Sequence, residues 1–538
     1  MSNNFKKIID RQLWVQVAPA PTAHQGGTCI TSDLRNDISR NPFIYYLLTG
    51  SILHKYNVIQ KGWGLCVNPS LNSVNAGSAC VFVPSLGLNG SIGAGCSTTK
   101  IITTTAINPV GFNMLANRGG SGDYGFKIRI IGNSAGGSGK VEERWIIGNT
   151  VGSTPTLLLD SALTFTPANG DTYEILGGRV LMLGAGAIGA NTWKSFEVST
   201  NNVVGLSQTN LPATIATDSS LIALDEQYVP YNHLPGEGFI KGASKYDGVT
   251  KGCLLATASA AGTITGQAAA GDFSVLANEY RNFQIRIVED TAIPTAVNQR
   301  RIIASHTAGA SPVYTLGTNW TVTPSANAKF VIENPNLILL WSSTTSTTYT
   351  YNYGPVTINN GTNSIASNAW HTSYFGTRGG AVGAGCTSFI SSGIQPDSDR
   401  NSKHSFIYSF RGGNSAILET LDISAAISGA WVSSVTYDGN GMIAFNTGTV
   451  GENALADQEG RFGYINAYVA SAVSQIFRFD VKNRVLSPVT PTDWIQTGAA
   501  AVGNRITSIT AIDGTDKYSV IFLQAHFSTV CQEMIVQV

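Results

Sequence analysis

The chain has little charge. Only 12% of its 538 residues are Asp, Glu, Lys or Arg, against about 25% in an average soluble domain. Lys+Arg and Asp+Glu number 33 each, so the net charge is zero. No basic excess is present to hold a nucleic-acid backbone or an acidic membrane surface. Neutrality also favours association with other protein surfaces over free solubility. Cysteine is scarce and irregularly placed: Cys29, Cys66, Cys80, Cys96, Cys253, Cys386 and Cys531 form no Cys-x-x-Cys pair, and their number is odd. They read as small buried apolar residues in a reducing compartment, not as a disulfide or metal framework. Long apolar runs are missing too. No stretch approaches the ~18 residues of a membrane helix. Behind the two lysines of MSNNFKKIIDRQLW stands only Ile8-Ile9, so no secretory leader is expected and folding is expected in a cytoplasm.

Catalytic constellations are equally sparse. The seven histidines, from His24 to His526, are far apart, and none forms a metal-spaced pair. No serine occupies a Gly-x-Ser-x-Gly elbow. Glu142-Glu143 and Asp397/Asp399 read as solvated loop carboxylates rather than an acid/base pair. Asp438-Gly439-Asn440-Gly441 lacks the alternating carboxylates and distal glutamate of a calcium loop and reads as a hairpin turn. Gly184-Ala-Gly186-Ala-Ile-Gly189 follows an apolar run, but a strand-like segment comes next and no acidic residue stands at the required distance. It reads as a strand-to-strand loop, not a dinucleotide site. Asn89, Asn319 and Asn360 open glycosylation patterns that read as ordinary loop residues without a leader. No catalytic, cofactor-binding or metal-ligating residue is assigned, and no cofactor is expected.

What the chain has in quantity is glycine, 58 residues, with Ser, Thr and Asn at the polar positions. Turn formers with β-branched residues at low charge indicate an all-β fold. One plan recurs. A first copy has Ile44-Tyr45-Tyr46-Leu47, Tyr56-Asn57-Val58 and Trp63; another has Phe406 to Phe410, Gly412-Gly413, Leu421-Asp422-Ile423 and Trp431. In a third, Phe477, Phe479 and Val481 alternate with Arg478 and Asp480, with Trp494 downstream. An apolar run, a turn, an aromatic-acid/amide-aliphatic run and a tryptophan describe one blade of a β-propeller. Such runs occur at Tyr56, Phe196, Tyr246, Tyr351, Leu421, Phe479 and, weakly, Ile535. They point to seven blades, with six as the alternative. Tryptophans 14, 63, 370, 431 and 494 are expected to wedge between neighbouring blades. The Trp14 strand lacks partners of its own, and the C-terminal strands lack a closing tryptophan. Together they should complete one blade and tie the ring.

Two intervals are too long for a blade, and they are copies of each other. Phe126-Lys-Ile-Arg-Ile130 matches Phe283-Gln-Ile-Arg-Ile287, and Arg144, Pro155, Thr164, Pro167 and Ile175 match Arg301, Pro312, Thr321, Pro324 and Ile332, always 157 residues apart. Upstream, Phe112 and Leu115 match Phe273 and Leu276 at 161, which gives copy one four extra residues around Gly119 to Gly122. The expected domains are propeller at 1–107, a small β-domain at 108–178, propeller at 179–270, a second small β-domain at 271–335, and propeller at 336–538. Both insertions end just before a blade's second strand, so they should leave equivalent loops on one face, from blades two apart in the ring.

Phe406 to Gly413, running through Leu421-Asp-Ile423 to Trp431, resembles kelch-type repeats. The segment Leu157 to Ile175, preceded by Arg144-Trp-Ile-Ile147, is similar to small β-domains in virion proteins of tailed bacteriophages. The whole plan resembles that of short-tailed phage nozzle proteins. These resemblances imply a non-enzymatic structural component of a virion tail, neck or collar. Its partners would be other virion proteins and copies of itself, with no nucleic-acid site and no membrane. A receptor- or glycan-binding fibre adhesin is the alternative, and a glycan-active propeller enzyme a third.

Overall fold

The structure is a computed structural model. It describes residues 15–537 except 24–27, 33–41, 49–51, 67–73, 76, 84–86, 107–125, 133–140, 205, 207–209, 217–218, 225–253, 268–276, 279, 282, 310, 334–335, 354–357, 360–363, 366–367, 373, 384–385, 393–404, 414, 423–430, 436, 440–454, 457–461, 470–472, 482, 489–504, 514–515 and 525–528. The described residues are all-β apart from one 3-10 turn at Pro294–Ala296. Most of the described strands lie in antiparallel sheets of four strands, largely taken in chain order. Sheet one holds Cys29–Ser32, Phe43–Leu48, Ile52–Asn57 and Gly62–Leu65. Sheet two holds Ala79–Val83, Arg179–Leu183, Trp193–Glu197 and Asn202–Val204. Sheet three holds Ser219–Leu224, Leu337–Ser342, Thr345–Asn352 and Trp370–His371. Sheet four holds Thr387–Ser392, Ser405–Phe410, Leu418–Asp422 and Trp431–Val435. Sheet five holds Leu455–Ala456, Phe462–Val469, Val473–Asp480 and Val485–Pro488. Sheet six holds Arg505–Asp513, Asp516–Gln524, Cys531–Gln537 and, from the other end of the chain, Val15–Val17.

Sheets one to five touch in turn through their first strands, sheet five meets sheet six through Phe462–Val469 and Arg505–Asp513, and the first strands of sheets six and one touch, so the contacts close a cycle. Second strands such as FIYYLL, VLML and LILLW are buried along nearly their whole length. A sheet covered by a neighbour on each face buries both sets of side chains, so its inner strands read as continuous apolar runs without alternation. Aromatic pairs fill the gaps between sheets. Tyr45 stacks on Phe82 at 5.7 Å between sheets one and two, and Phe389 meets Phe479 at 6.0 Å between sheets four and five. Fourth-strand tryptophans reach back to the preceding sheet. Trp370 lies 5.3 Å from Trp193, Trp431 lies 5.5 Å from Trp341, and the Trp63 indole donates to Ala18 O at 3.1 Å. Trp14 and Trp494 fall outside the described residues.

The aromatic-acid-aliphatic runs at Tyr56, Phe196, Tyr351, Leu421, Phe479 and Ile535 all fall on or beside the third strand of a sheet. The run at Tyr246 lies outside the described residues, in a connection that leaves sheet three after Leu224. The first strands of sheets two and three touch, so no sheet stands between them, and the described sheets number six, not seven. Val15–Val17 pairs antiparallel with Cys531–Glu533, joining the two ends of the chain as the lone N-terminal strand led one to expect. Of the expected hairpin turn at 438–441, only Asp438–Gly439 is described, and it lies in a strand. That two-residue strand is added in parallel to Val485–Leu486 on the outer edge of sheet five.

Candidate functional site: the paired inserts

Two six-stranded units interrupt the ring sheets. One lies between Val83 and Arg179, which are cross-strand partners in sheet two. The other lies between Leu224 and Leu337, partners in sheet three. Each therefore replaces the turn between a first and a second strand. They arise from adjacent sheets, not from sheets two apart, because the first strands of sheets two and three touch directly. They touch each other where Ile131 of the first packs on Val297 of the second.

The second insert is a closed barrel of Leu254–Ala260, Thr263–Gln267, Gln284–Glu289, Arg300–His306, Val313–Leu316 and Lys329–Glu333. The first is a six-stranded sheet of Asn89–Ser91, Lys100–Ile102, Lys127–Ile131, Val141–Asn149, Thr156–Leu159 and Thr172–Ile175, with the same strand order. Its two edges are drawn together by the bridge Ile92–Thr103 and by Gly93 N–H donating to Ile102 O at 2.7 Å. Both units begin earlier than the boundaries at 108 and 271. Their first hairpins, near 89–102 and 254–267, are strands that the sequence register does not reach. The partner of Tyr173 is Gly90 and the partner of Phe330 is Leu254, which stand 164 apart and not 157. The longer connection after Ile102 in the first insert absorbs the difference. The matches at Phe112 and Leu115 lie outside the described residues.

Beyond that point the 157 offset describes bonds as well as letters. Ile146 N–H donates to Phe126 O at 2.9 Å, and Ile303 N–H donates to Phe283 O at 2.8 Å. Thr156 N–H donates to Thr150 Oγ1 at 2.8 Å, and Val313 N–H to Thr307 Oγ1 at 2.9 Å. Arg144 Nε donates to Ala162 O at 3.1 Å, and Arg301 Nε to Asn319 O at 2.7 Å. Glu142 accepts from Thr164 N–H at 3.1 Å, where Gln299 accepts from Thr321 N–H at 2.9 Å. Glu142 and Glu143 are not solvated loop carboxylates. They lie on the strand Val141–Asn149, Glu142 is buried, and Glu143 binds the buried guanidinium of Arg129 at 3.2 Å. The spacing of an acid pair on a strand puts the two on opposite faces, each with its own cationic partner.

The charged sets and the exposed apolar residues differ. Lys127, Arg129, Glu142, Glu143, Arg144 and Glu174 in the first insert correspond to Gln284, Arg286, Gln299, Arg300, Arg301 and Val331 in the second. Three cations and three carboxylates become three arginines. Ile147, Val151 and Leu158 are exposed in the first insert, and their counterparts are Ala304, Ala308 and Thr315. Internal hydrogen bonds hold both copies to one shape, while the changes fall both on exposed positions such as Ile147/Ala304 and on buried ones such as Glu142/Gln299 and Leu157/Tyr314.

No known protein family and no curated protein sequence matches the chain.

Other candidates resolve into scaffold. The Gly184–Gly189 loop joins Arg179–Leu183 to Trp193–Glu197 and is pinned by Gly186 N–H to Ile215 O at 2.9 Å and Ile215 N–H back to Gly186 O at 2.8 Å, with no helix following. His54, His306 and His371 lie in three different units; the other histidines, Asp397, Asp399 and Asn360 lie outside the described residues. Asn89 sits on an insert strand. Five cysteines are free and buried and Cys96 is free and half-buried; Cys253 is outside the described residues. Burial pushes the Cys66 thiol up to about 12, so it stays protonated and unreactive. Burial also pushes the Glu197 carboxyl up; Arg179 at 3.5 Å and the Ser199 hydroxyl at 2.7 Å work against it. A buried charged cluster between sheets, Arg378, Arg411 and Glu419, was not singled out by the sequence. Arg378 Nε donates to Glu419 Oε2 at 2.8 Å, and Gly379 N–H donates to Oε1 at 3.0 Å. The Arg378 guanidinium lies 5.3 Å from the Trp341 ring and 4.9 Å from the Trp431 ring, between sheets three and four. An Arg-Gly-Gly sequence before a first strand is its one visible sign: a side chain at Gly380 would meet Arg411 Nη1 at 3.0 Å.

Proposed function

We propose that the chain is a non-enzymatic structural component of a tailed-phage virion, in its tail, neck or collar. The six sheets are the blades of a β-propeller that serves as a rigid block. The inserts reach neighbouring virion proteins or further copies of the chain. The observation that carries this reading is the pair of inserts: two copies of one six-stranded unit, side by side on adjacent blades, alike in their internal bonds and unlike on their outer faces. Duplication with divergence of the exposed residues is what two different neighbours require of one frame. Low charge and zero net charge fit interfaces built on apolar and backbone contacts. The adhesin reading calls for solvent-facing aromatic platforms; among the described residues the large exposed apolar side chains are aliphatic.

The test is cross-linking mass spectrometry on purified particles. Cross-links from the first insert to one virion protein and from the second to another support the reading. Absence of the chain from particles, or hydrolysis of a host polysaccharide by the pure protein, overturns it.

A further inference from the structure

The second insert carries a histidine where the first has an asparagine. His306 ends the strand Arg300–His306, and its counterpart 157 residues earlier is Asn149. The His306 ring is buried, stacked on Tyr280 at 5.7 Å and tilted against Tyr314 at 5.1 Å. Both of its nitrogens are committed. Nε2 accepts the backbone N–H of Tyr280 at 2.8 Å, and Nδ1 donates to Thr307 O at 2.9 Å. A ring nitrogen facing a backbone N–H must carry a lone pair, so this bond exists only for the neutral tautomer protonated at Nδ1. The same residue ties the segment down twice more: His306 N–H donates to Asn278 Oδ1 at 2.9 Å, and Asn278 N–H donates to His306 O at 3.1 Å. Asn278 holds a left-handed turn, with φ +62°, that Asn tolerates better than most residues.

We infer that His306 is an acid-sensitive lock on the second insert, holding Asn278 and Tyr280 against the barrel only while its ring is neutral. Protonation puts an N–H donor where Nε2 now accepts, opposite the Tyr280 N–H, and places a charge inside the barrel. The groups facing the ring from the packed elements are Tyr280 from the turn and Tyr314 from the adjoining strand, with the cation of Arg281 in the same turn. The two tyrosine faces attract a cation. They cannot restore a hydrogen bond between two donors, and burial of the charge opposes protonation. The first insert has no such device. Asn149 Nδ2 donates to Thr150 O at 3.2 Å, the bond His306 Nδ1 makes, but an amide does not titrate in this range. Acid should therefore loosen one insert and leave its twin in place.

The sign follows from proton linkage. The native turn excludes a proton that the opened chain accepts near pH ~6.5. Opening is thus unaffected above that value. Below it, opening becomes easier by up to about tenfold per pH unit, the slope of one linked proton. The experiment is hydrogen exchange with mass spectrometry on the full chain from pH 7.5 to 5.0. It is read as the ratio of exchange in peptides covering 280–306 to exchange in peptides covering 141–159, which cancels the intrinsic pH dependence. The ratio should rise at least tenfold by pH 5.0 in wild type and stay flat in His306→Asn. A flat wild-type ratio, slower exchange in acid, or an unchanged rise in His306→Asn overturns the inference. Should the variant not fold, exchange at the His306 ring carbon in wild type decides: its titration midpoint must lie below that of the same residue in the urea-unfolded chain.

Discussion

At the scale of single residues, two buried carboxylates do opposite things with pH. Burial alone would push Glu419 up, but Arg378, Arg411 and the hydrogen bonds they donate bring its carboxyl below the ordinary range. A group depressed by folding stabilises above its unfolded value, near ~4.3, and loses that contribution as pH falls through the folded value. Glu419→Gln leaves Arg378 between two indoles with no charge partner, and breaking such a buried pair costs about 3–5 kcal/mol. Urea unfolding at pH 7 should show that loss, and below pH ~4 the gap between variant and wild type should narrow. Arg378→Lys should not rescue, since an ammonium has neither the fork nor the flat face that fits between Trp341 and Trp431. Glu533 is the reverse case. Burial pushes it up, and Lys61, half in solvent, opposes this only in part. A carboxyl raised by folding favours the native state at low pH, and the contribution fades as pH rises from ~4.3 through the folded value. Lys61→Met should push Glu533 further up and steepen that fall, a change visible as a lower melting temperature at pH 8 than at pH 5.

At the scale of elements, the two inserts are alike in strand order and differ in how they are rooted. The core of the second is mostly its own: Ala256, Ile264, Tyr280, Phe283, Ile285, Ile287, Tyr314 and Phe330 pack with one another inside the barrel, while Ile302 alone of its strands joins the ring cluster of Ile222, Leu224 and Leu337 among the described residues. The first shares its core with the ring, where Ile128, Ile130, Phe126 and Tyr173 join Phe82, Val180, Phe196 and Tyr45 of sheets one and two. Joining Leu224 to Leu337 by a two-residue turn should therefore leave a folded ring, because those residues are already cross-strand partners. Joining Val83 to Arg179 in the same way uncovers part of the ring's core and should lower the melting temperature or abolish folding. Equal tolerance of both deletions would show that the shared cluster adds nothing to the ring. Removing only 108–178 and 271–335 would strand the hairpins near 89–102 and 254–267 without partners, and aggregation is the expected result. The sequence carried much of this. Third-strand runs, tryptophans on three fourth strands and the 157 offset were legible because each rests on local spacing. The first hairpins of the inserts were not, because loops of unequal length break the register. The run at Tyr246 lies outside the described residues, so the seventh counted run has no described sheet. Arg378 and Glu419 stand 41 residues apart, and no local pattern announces a pair that only the stacking of sheets creates.

At the scale of the whole molecule, a cycle of six sheets is closed covalently everywhere but once. Sheets one to five are each built from one continuous region of chain, apart from the inserts. Sheet six joins Val15–Val17 to strands more than 480 residues away. The strap is short, and Val15 is exposed, so its own burial holds it weakly. Its value lies in what it covers. Without it the edge of Cys531–Glu533 loses its hydrogen-bond partners, although these side chains are buried, and Trp63 loses Ala18 O as the acceptor for its indole. Ala20 N–H also leaves Thr529 O, at 2.7 Å in the closed ring. A buried donor without an acceptor costs about 1–3 kcal/mol, and an uncovered strand edge invites pairing with another chain. Deletion of residues 1–20 should thus lower the melting temperature of the entire ring in one step and promote self-association. A peptide of residues 15–22 supplied in excess should reverse part of both effects by restoring the pairing in trans. Calorimetry and light scattering read the two outcomes. If the truncated chain melts at the wild-type temperature and stays monodisperse, the strap is decoration, and the contacts between first strands hold the ring shut by themselves.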